Sequence, residues 1–236
     1  MDTATRFAAT FATTQAADDE SRALPDQLSR AAAAVLAVDG VGLSLAGEEP
    51  VPLGSSGNMP TTAEQLQFTV GVGPCLVAVD TRFPLFAVES YLQRRWPVLH
   101  DLLRTLTPYR SVVAYPMSQG LAGVGAMVVY LREPAGPLAF DSFEAHTVTD
   151  LVSGHLTSSA TWAMRYQPDL QHWLDTPTAR VRTLTWQAVG MISQRLGAPP
   201  ADALDVLRAR AYATGRLVDE IALDLVHGHI RLDDLA

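Results

Sequence analysis

"SVVAYPMSQGLAGVGAMVVYLR", residues 111–132, holds two apolar stretches separated by a short turn. The first, 111–117, stops near Pro116; the second, 122–132, is rich in β-branched side chains. Both predict strands. Upstream, "RRWPVLHDLLRTL" predicts one helix with Leu99, Leu102, Leu103 and Leu106 on one side, and "FPLFAVES" a short apolar strand. "TTAEQLQF", 61–68, predicts a short helix with Thr61 as N-cap and Glu64 three residues on, the spacing of a capping box. "VGLSLAG", 41–47, alternates as a strand does, and "EEPVPLGSSG" follows as a turn and short partner strand. Pro50 and Pro52 suit a sheet edge, where the missing N–H costs no ladder bond. The first 30 or so residues predict helix, with Leu28, Ala32, Val35 and Leu36 as an apolar stripe. Downstream, helical sequence runs from Asp141, with Asp141 or Ser142 as cap, to about Tyr166. This order implies an α+β fold, an antiparallel sheet covered by helices, over residues 1–166.

Beyond Tyr166 the texture changes. Pro168 and Pro177 interrupt helix, so 167–180 is expected to be a linker. From Val181 to the end three short amphipathic helices follow, a small all-α bundle over 181–236. Leu184, Ala188, Met191, Ile192 and Leu196 mark the first; Ala203, Leu204, Leu207 and Ala211 the second; and Leu217, Val218, Ile221, Ala222, Leu225 and Val226 the third. Gly197, the Thr214–Gly215 pair and Gly228 punctuate them.

Composition narrows the function classes. With 236 residues, 48% of them hydrophobic, the chain can build an extensive core. No apolar run approaches the roughly 20 residues of a membrane helix, and the opening stretch has no basic segment before an apolar block, so no secretory signal is expected. A single cysteine excludes an intrachain disulfide and a multi-cysteine metal site, and fits a reducing cytoplasm. All 17 basic residues are Arg. The net charge of −8 lies entirely before Thr178, because the remainder carries seven Arg against seven Asp and Glu. The acidic part repels nucleic acid; a polyanion would bind the last 60 residues, if anywhere.

"GVGPC", 71–75, contains the lone Cys75. A phosphate loop needs Lys and Ser or Thr after its last glycine, and this chain has no Lys. A cysteine nucleophile needs a partner to lower its pKa, and no motif joins Cys75 to any of the six histidines. Two readings remain: a small apolar side chain after a turn, and a residue lining a small-molecule or redox-sensing pocket. No catalytic residue, metal or cofactor is expected.

The stretch "GVGPCLVAVDTRFPLFAVESYLQRRWPVL" resembles the middle of the GAF domains of actinobacterial GAF–ANTAR regulators, through Gly71, Gly73, Pro74, Cys75, Arg95, Trp96 and Pro97. "WQAVGMISQRLGAPPADALDVLRARAYATGRLVDEIALDLV" is similar to an ANTAR domain, through Gln187, Ala188, Gly190, Gly197, Asp202, Ala203, Leu207, Arg208, Ala211, Thr214, Arg216 and Ala222. Together they cover nearly the whole chain. The resemblance implies a homodimeric sensor that binds a small molecule and controls RNA stem-loop binding in transcription antitermination. Gln187, Gly190, Arg208, Thr214 and Arg216 would face RNA, and Cys75 the ligand. Where such ANTAR helices commonly carry Lys, this chain has Val189, so one phosphate contact is lost. The alternative is a dimeric small-molecule sensor acting through protein contacts, without RNA.

Three features have plain readings beside the functional ones. Gly190 costs about 1 kcal/mol relative to Ala inside a helix; close helix packing or approach by a partner would explain it. Arg216 near a helix start opposes the dipole, and is either solvated or matched by an anion. Val148, Val152, His155, Ser159, Trp162 and Tyr166 recur at steps of four and three; the helix either packs on its own domain sheet with Leu151 and Leu156 inward, or also pairs with its copy in a dimer.

Overall fold

The computed structural model describes residues 2–17, 23–46, 51–166 and 177–235. Helices α1 (Thr3–Ala17) and α2 (Leu24–Leu36) lead into strands β1 (Gly40–Leu45) and β2 (Val51–Ser55). Helices α3 (Asn58–Val70) and α4 (Pro74–Thr81) precede β3 (Leu85–Ala87), and α5 (Glu89–Arg95) and α6 (Pro97–Leu106) precede β4 (Ser111–Pro116) and β5 (Gly125–Leu131). The long α7 (Ser142–Tyr166) follows, then α8 (Pro177–Leu196), α9 (Pro200–Thr214) and α10 (Val218–Val226). The fold is α+β: one antiparallel five-stranded sheet in the order β2-β1-β5-β4-β3, with a helical C-terminal region.

The opening stretch decides this architecture because β4 and β5 are central strands. Val113 pairs with Val129 and Tyr115 with Met127. Their side chains, with Val41 and Leu43 of β1, face α1, α2 and α7; Val112, Ala114, Val128 and Tyr130 face α3–α6. Every residue of β5 is buried, which explains its continuous apolar run: helices cover both faces. Pro52 sits on edge strand β2 opposite Ser44, where the register slips. Pro50 lies outside the described residues.

Several boundaries differ from expectation, each for a local reason. The initial helical stretch is two helices. The helix expected over 61–68 begins at Asn58, so Thr61 lies within its first turns and bonds the Gly57 carbonyl instead of capping. Glu64 is then buried core and completes no capping box. The helix expected around residue 96 is broken there: Trp96 takes φ −139°, ψ 69°, because Pro97 disfavours helical geometry in the residue before it. Pro177 starts α8 four residues ahead of the expected Val181, at a first-turn position that needs no N–H. Asp141 does cap α7, its Oδ1 accepting the N–H groups of Phe143 and Glu144, both at 3.0 Å. On α7, Val148 and Val152 are fully buried in the domain's own core, and the His155 ring lies 5.0 Å from that of Phe11. Val148 and Val152 therefore serve the domain's own core, while His155 is exposed beside α1; the side chains of Trp162 and Tyr166 lie outside the described residues. In the bundle, Ala188 and Ile192 are core as expected, Leu196 is exposed, and Arg182, Thr185 and Val189 take buried places on α8.

Candidate functional site

The expected "GVGPC" turn is built around a side chain of α3. Gly71 caps that helix in the left-handed region, φ +75°, a conformation glycine takes at no steric cost. Gly73 leaves space that the Gln67 carboxamide occupies, and Pro74 opens α4. Gln67 Oε1 accepts the Cys75 N–H at 3.2 Å, and its Nε2 donates to the Tyr130 hydroxyl at 2.8 Å. Tyr130 donates in turn to Glu64 Oε1 at 2.6 Å, and Ser44 Oγ donates to Glu64 Oε2. A Cβ on Gly42 would meet the Glu64 carboxyl at 2.5 Å, so this glycine makes room for the acid. The chain of bonds joins β1, β5, α3 and α4 beneath the surface. Burial pushes the Glu64 carboxyl up, against the pull of the Ser44 and Tyr130 donors. Burial also pushes the Cys75 thiol far up, helped by the Glu64 charge.

A buried thiol of this kind is a poor nucleophile, since reactivity belongs to the thiolate. Labelling of folded protein with a disulfide reagent at pH 8 should therefore be slow, and become complete only on unfolding. Full modification within seconds in native buffer would show that the wall at Cys75 opens freely.

The opposite side is supplied by the C-terminal helices. Arg182 of α8 is buried, its Nη2 3.3 Å from Asp219 Oδ2 of α10, and Thr185 Oγ1 donates to Asp219 Oδ1 at 2.7 Å. The Arg182 guanidinium lies 3.1 Å from the ring centroid of Phe68, the last aromatic of α3. Trp186 meets the same ring edge-on at 6.3 Å. Burial lowers the Arg182 pKa to about 10, although Asp219 supports the charge. Arg208 of α9 reaches across to the Phe68 carbonyl, with Nε at 3.4 Å and Nη2 at 3.3 Å, and pairs with Asp205 at 3.2 Å. The Val218 N–H donates to Thr69 Oγ1 at 3.2 Å. Between the two sides lies a cavity of about 690 Å³, lined by Ser44, Glu64, Gln67 and Cys75 from the sheet domain and by Arg182, Trp186 and Arg208 from the bundle.

Of the ligand- and RNA-binding residues expected from sequence, Cys75 and Arg208 meet at this cavity, and Gln187, Gly190, Thr214 and Arg216 do not line it. Gln187 and Gly190 are exposed on α8. A Cβ on Gly190 would meet nothing within 4 Å, so close packing is not the reason for this glycine. Thr214 Oγ1 donates to the Arg210 carbonyl of its own helix at 2.8 Å. Arg216 is met within the bundle by Asp224 at 2.8 Å and Glu220 at 3.5 Å, which resolves its conflict with the dipole. Val189 is packed in the bundle core, so its position does not face a ligand. Sequence reasoning missed Glu64, Gln67, Phe68, Arg182, Trp186 and Tyr130. The available signal was Arg182 placed a helical step from the apolar Trp186 and Val189, a charge with no solvent face.

No protein-family model and no curated protein matches the chain. Solved structures do resemble it. The GAF domain of a phosphoenolpyruvate-protein phosphotransferase from Coxiella burnetii is 14% identical, over 70% of this chain and 98% of that one, with TM-score 0.47. The GAF domain of the Acinetobacter phosphoenolpyruvate-protein phosphotransferase is 14% identical, over 67% and 94%, with TM-score 0.43. Among the described residues, no helix is long and apolar enough to cross a membrane.

Proposed function

We propose that the chain is a cytoplasmic, homodimeric regulator of transcription antitermination, in which the sheet domain senses a small molecule and the C-terminal bundle binds an RNA stem-loop. The observation that carries this reading is the shared cavity: an occupant touches α3 and α4 on one side and α8 and α9 on the other, so it biases how the bundle sits. The GAF-like stretch supplies the sensing half of the reading and the ANTAR-like stretch the RNA half. Gln187 offers a donor and an acceptor to an unpaired base, and Arg216 exchanges Asp224 and Glu220 for phosphate.

Filter binding of the full chain against native stem-loops tests it. Binding should fall steeply with salt. Arg216→Ala should weaken all sequences and reduce the salt slope by roughly one, while Gln187→Ala should mainly relax loop preference. Absence of binding to every stem-loop at low salt rejects the RNA half.

One set of observations favours the second reading, a sensor acting through protein contacts. Arg208 and Arg216 are both engaged within the chain, Arg195 pairs with Asp233 at 3.3 Å, and Val189 is core. Among the described residues, a bundle with so few uncommitted cations attracts a polyanion weakly.

A further inference from the structure

The cavity between sheet and bundle has an imbalance of hydrogen-bonding groups. Arg182 Nε and Nη1 and Trp186 Nε1 are buried and have no acceptor among the described residues. The Arg182 side chain is only 3% exposed, so water does not reach it freely. Buried donors left without acceptors are costly, those of a charged group most of all. On the acceptor side, both Glu64 oxygens are already engaged by Ser44 and Tyr130, and Gln67 by Cys75 and Tyr130. Asp219 faces Arg182 from within the bundle and holds one nitrogen. Asp205 is 71% exposed and spent on Arg208. Among the described residues, what the site lacks is a free side-chain acceptor beside two guanidinium groups.

We infer that the cavity binds a small planar carboxylate, its acid group beside Arg182 and Arg208 and its apolar body between Trp186, Leu76 and Leu204. This rests on the sensing half of the function proposed above and is independent of the RNA half. The volume lies within the roughly 300–1,000 Å³ of small-molecule sites. Guanidinium groups match carboxylates in geometry as well as charge. A cationic ligand finds no free carboxylate among the described lining residues, since Glu64 and Asp205 are both engaged. A bare phosphate finds charge but leaves the apolar lining empty: Leu45, Val51 and Pro52 give it nothing. Flat side chains, the Trp186 indole and the guanidinium planes, favour a flat ligand over a branched one.

The test is fluorine NMR of the full chain with a matched set of fluorinated aromatic carboxylates, their primary amides and the corresponding benzylamines, each at 1 mM in the manner of a fragment screen, on the order of the weak affinities expected of small fragments. Carboxylates should bind at least tenfold tighter than their amides, benzylamines should not bind, and inorganic phosphate should not compete. Arg208→Gln should weaken the best carboxylate about tenfold, and Trp186→Phe, which keeps a ring and removes the N–H, several-fold. Ala201 is exposed at the cavity wall, so Ala201→Phe blocks the site without entering the core, and should abolish binding while circular dichroism stays native. Equal binding of amides and carboxylates overturns the inference. So does carboxylate binding that survives Arg208→Gln and Ala201→Phe, or a set in which no carboxylate binds folded protein. None of these outcomes depends on RNA, so filter binding and this screen fail separately.

Discussion

Asp219→Ala should be among the most damaging single changes in the molecule, costing about 3–5 kcal/mol in urea unfolding, the usual loss when one partner of a buried ion pair is removed. Asp219 and Arg182 are 4% and 3% exposed at their side chains. With the carboxylate gone, the guanidinium stays buried over Phe68, and Thr185 Oγ1 keeps only its bond to the Val181 carbonyl at 3.1 Å. A domain of ordinary stability, about 5–15 kcal/mol, loses a large fraction of its margin. The double change Arg182→Met with Asp219→Ala should recover most of the loss, because no charge is then stranded. A double variant as unstable as Asp219→Ala alone would show that the pair matters for shape and not for charge.

The second large effect is expected at Gly54. A Cβ there would stand 2.6 Å from the Pro25 carbonyl carbon and 2.7 Å from the Asp26 nitrogen. Both are main-chain atoms at the start of α2, so no side-chain rotation relieves the contact. The same junction is pinned by the Ser55 N–H, which donates to Asp26 Oδ1 at 2.8 Å. Gly54→Val should cost about 3 kcal/mol, the upper part of the overpacking range. Its denaturant midpoint should fall with an unchanged slope, and fast amide exchange should appear along β2 first. A wild-type midpoint would mean that α2 shifts without cost.

Much of the architecture was legible from periodicity alone. The strands at 111–117 and 122–132 were visible because helices cover both faces of the sheet and the chain there is apolar throughout. The Asp141 cap and the bundle stripes were visible because helix ends and faces leave local marks. The two breaks at Trp96 and Pro177 were misjudged in opposite directions. Proline before a helix turn ends one helix and starts another, and only the packed structure decides which reading dominates. The site was less legible. Glu64 has the spacing of a capping residue, and sequence gives no sign that Ser44 and Tyr130, 20 and 66 residues away, hold it in the core. Spacing puts Arg182 on the apolar side of α8, but nothing local names Asp219 and Phe68 as the groups that close over it. Arg208 carries a motif position whose resemblance points to RNA, yet the structure spends it on a carbonyl of α3. Local spacing cannot encode such partners, because they are chosen by topology.

The bond from the Val218 N–H to Thr69 Oγ1 spans 149 residues of sequence and crosses between the two halves of the chain. Val218 is the first residue of α10, so its amide has no partner within that helix. Its protection from solvent hydrogen is therefore held by the other half of the molecule. Most amides of α10 exchange only when the bundle itself opens; this one is also released when an intact bundle lifts away. The ratio of its exchange rate to that of a mid-helix neighbour such as Ala222 measures the free energy of lifting, separately from the free energy of unfolding. One peptide group thus works as a built-in gauge of how tightly the two halves are latched, readable without any label.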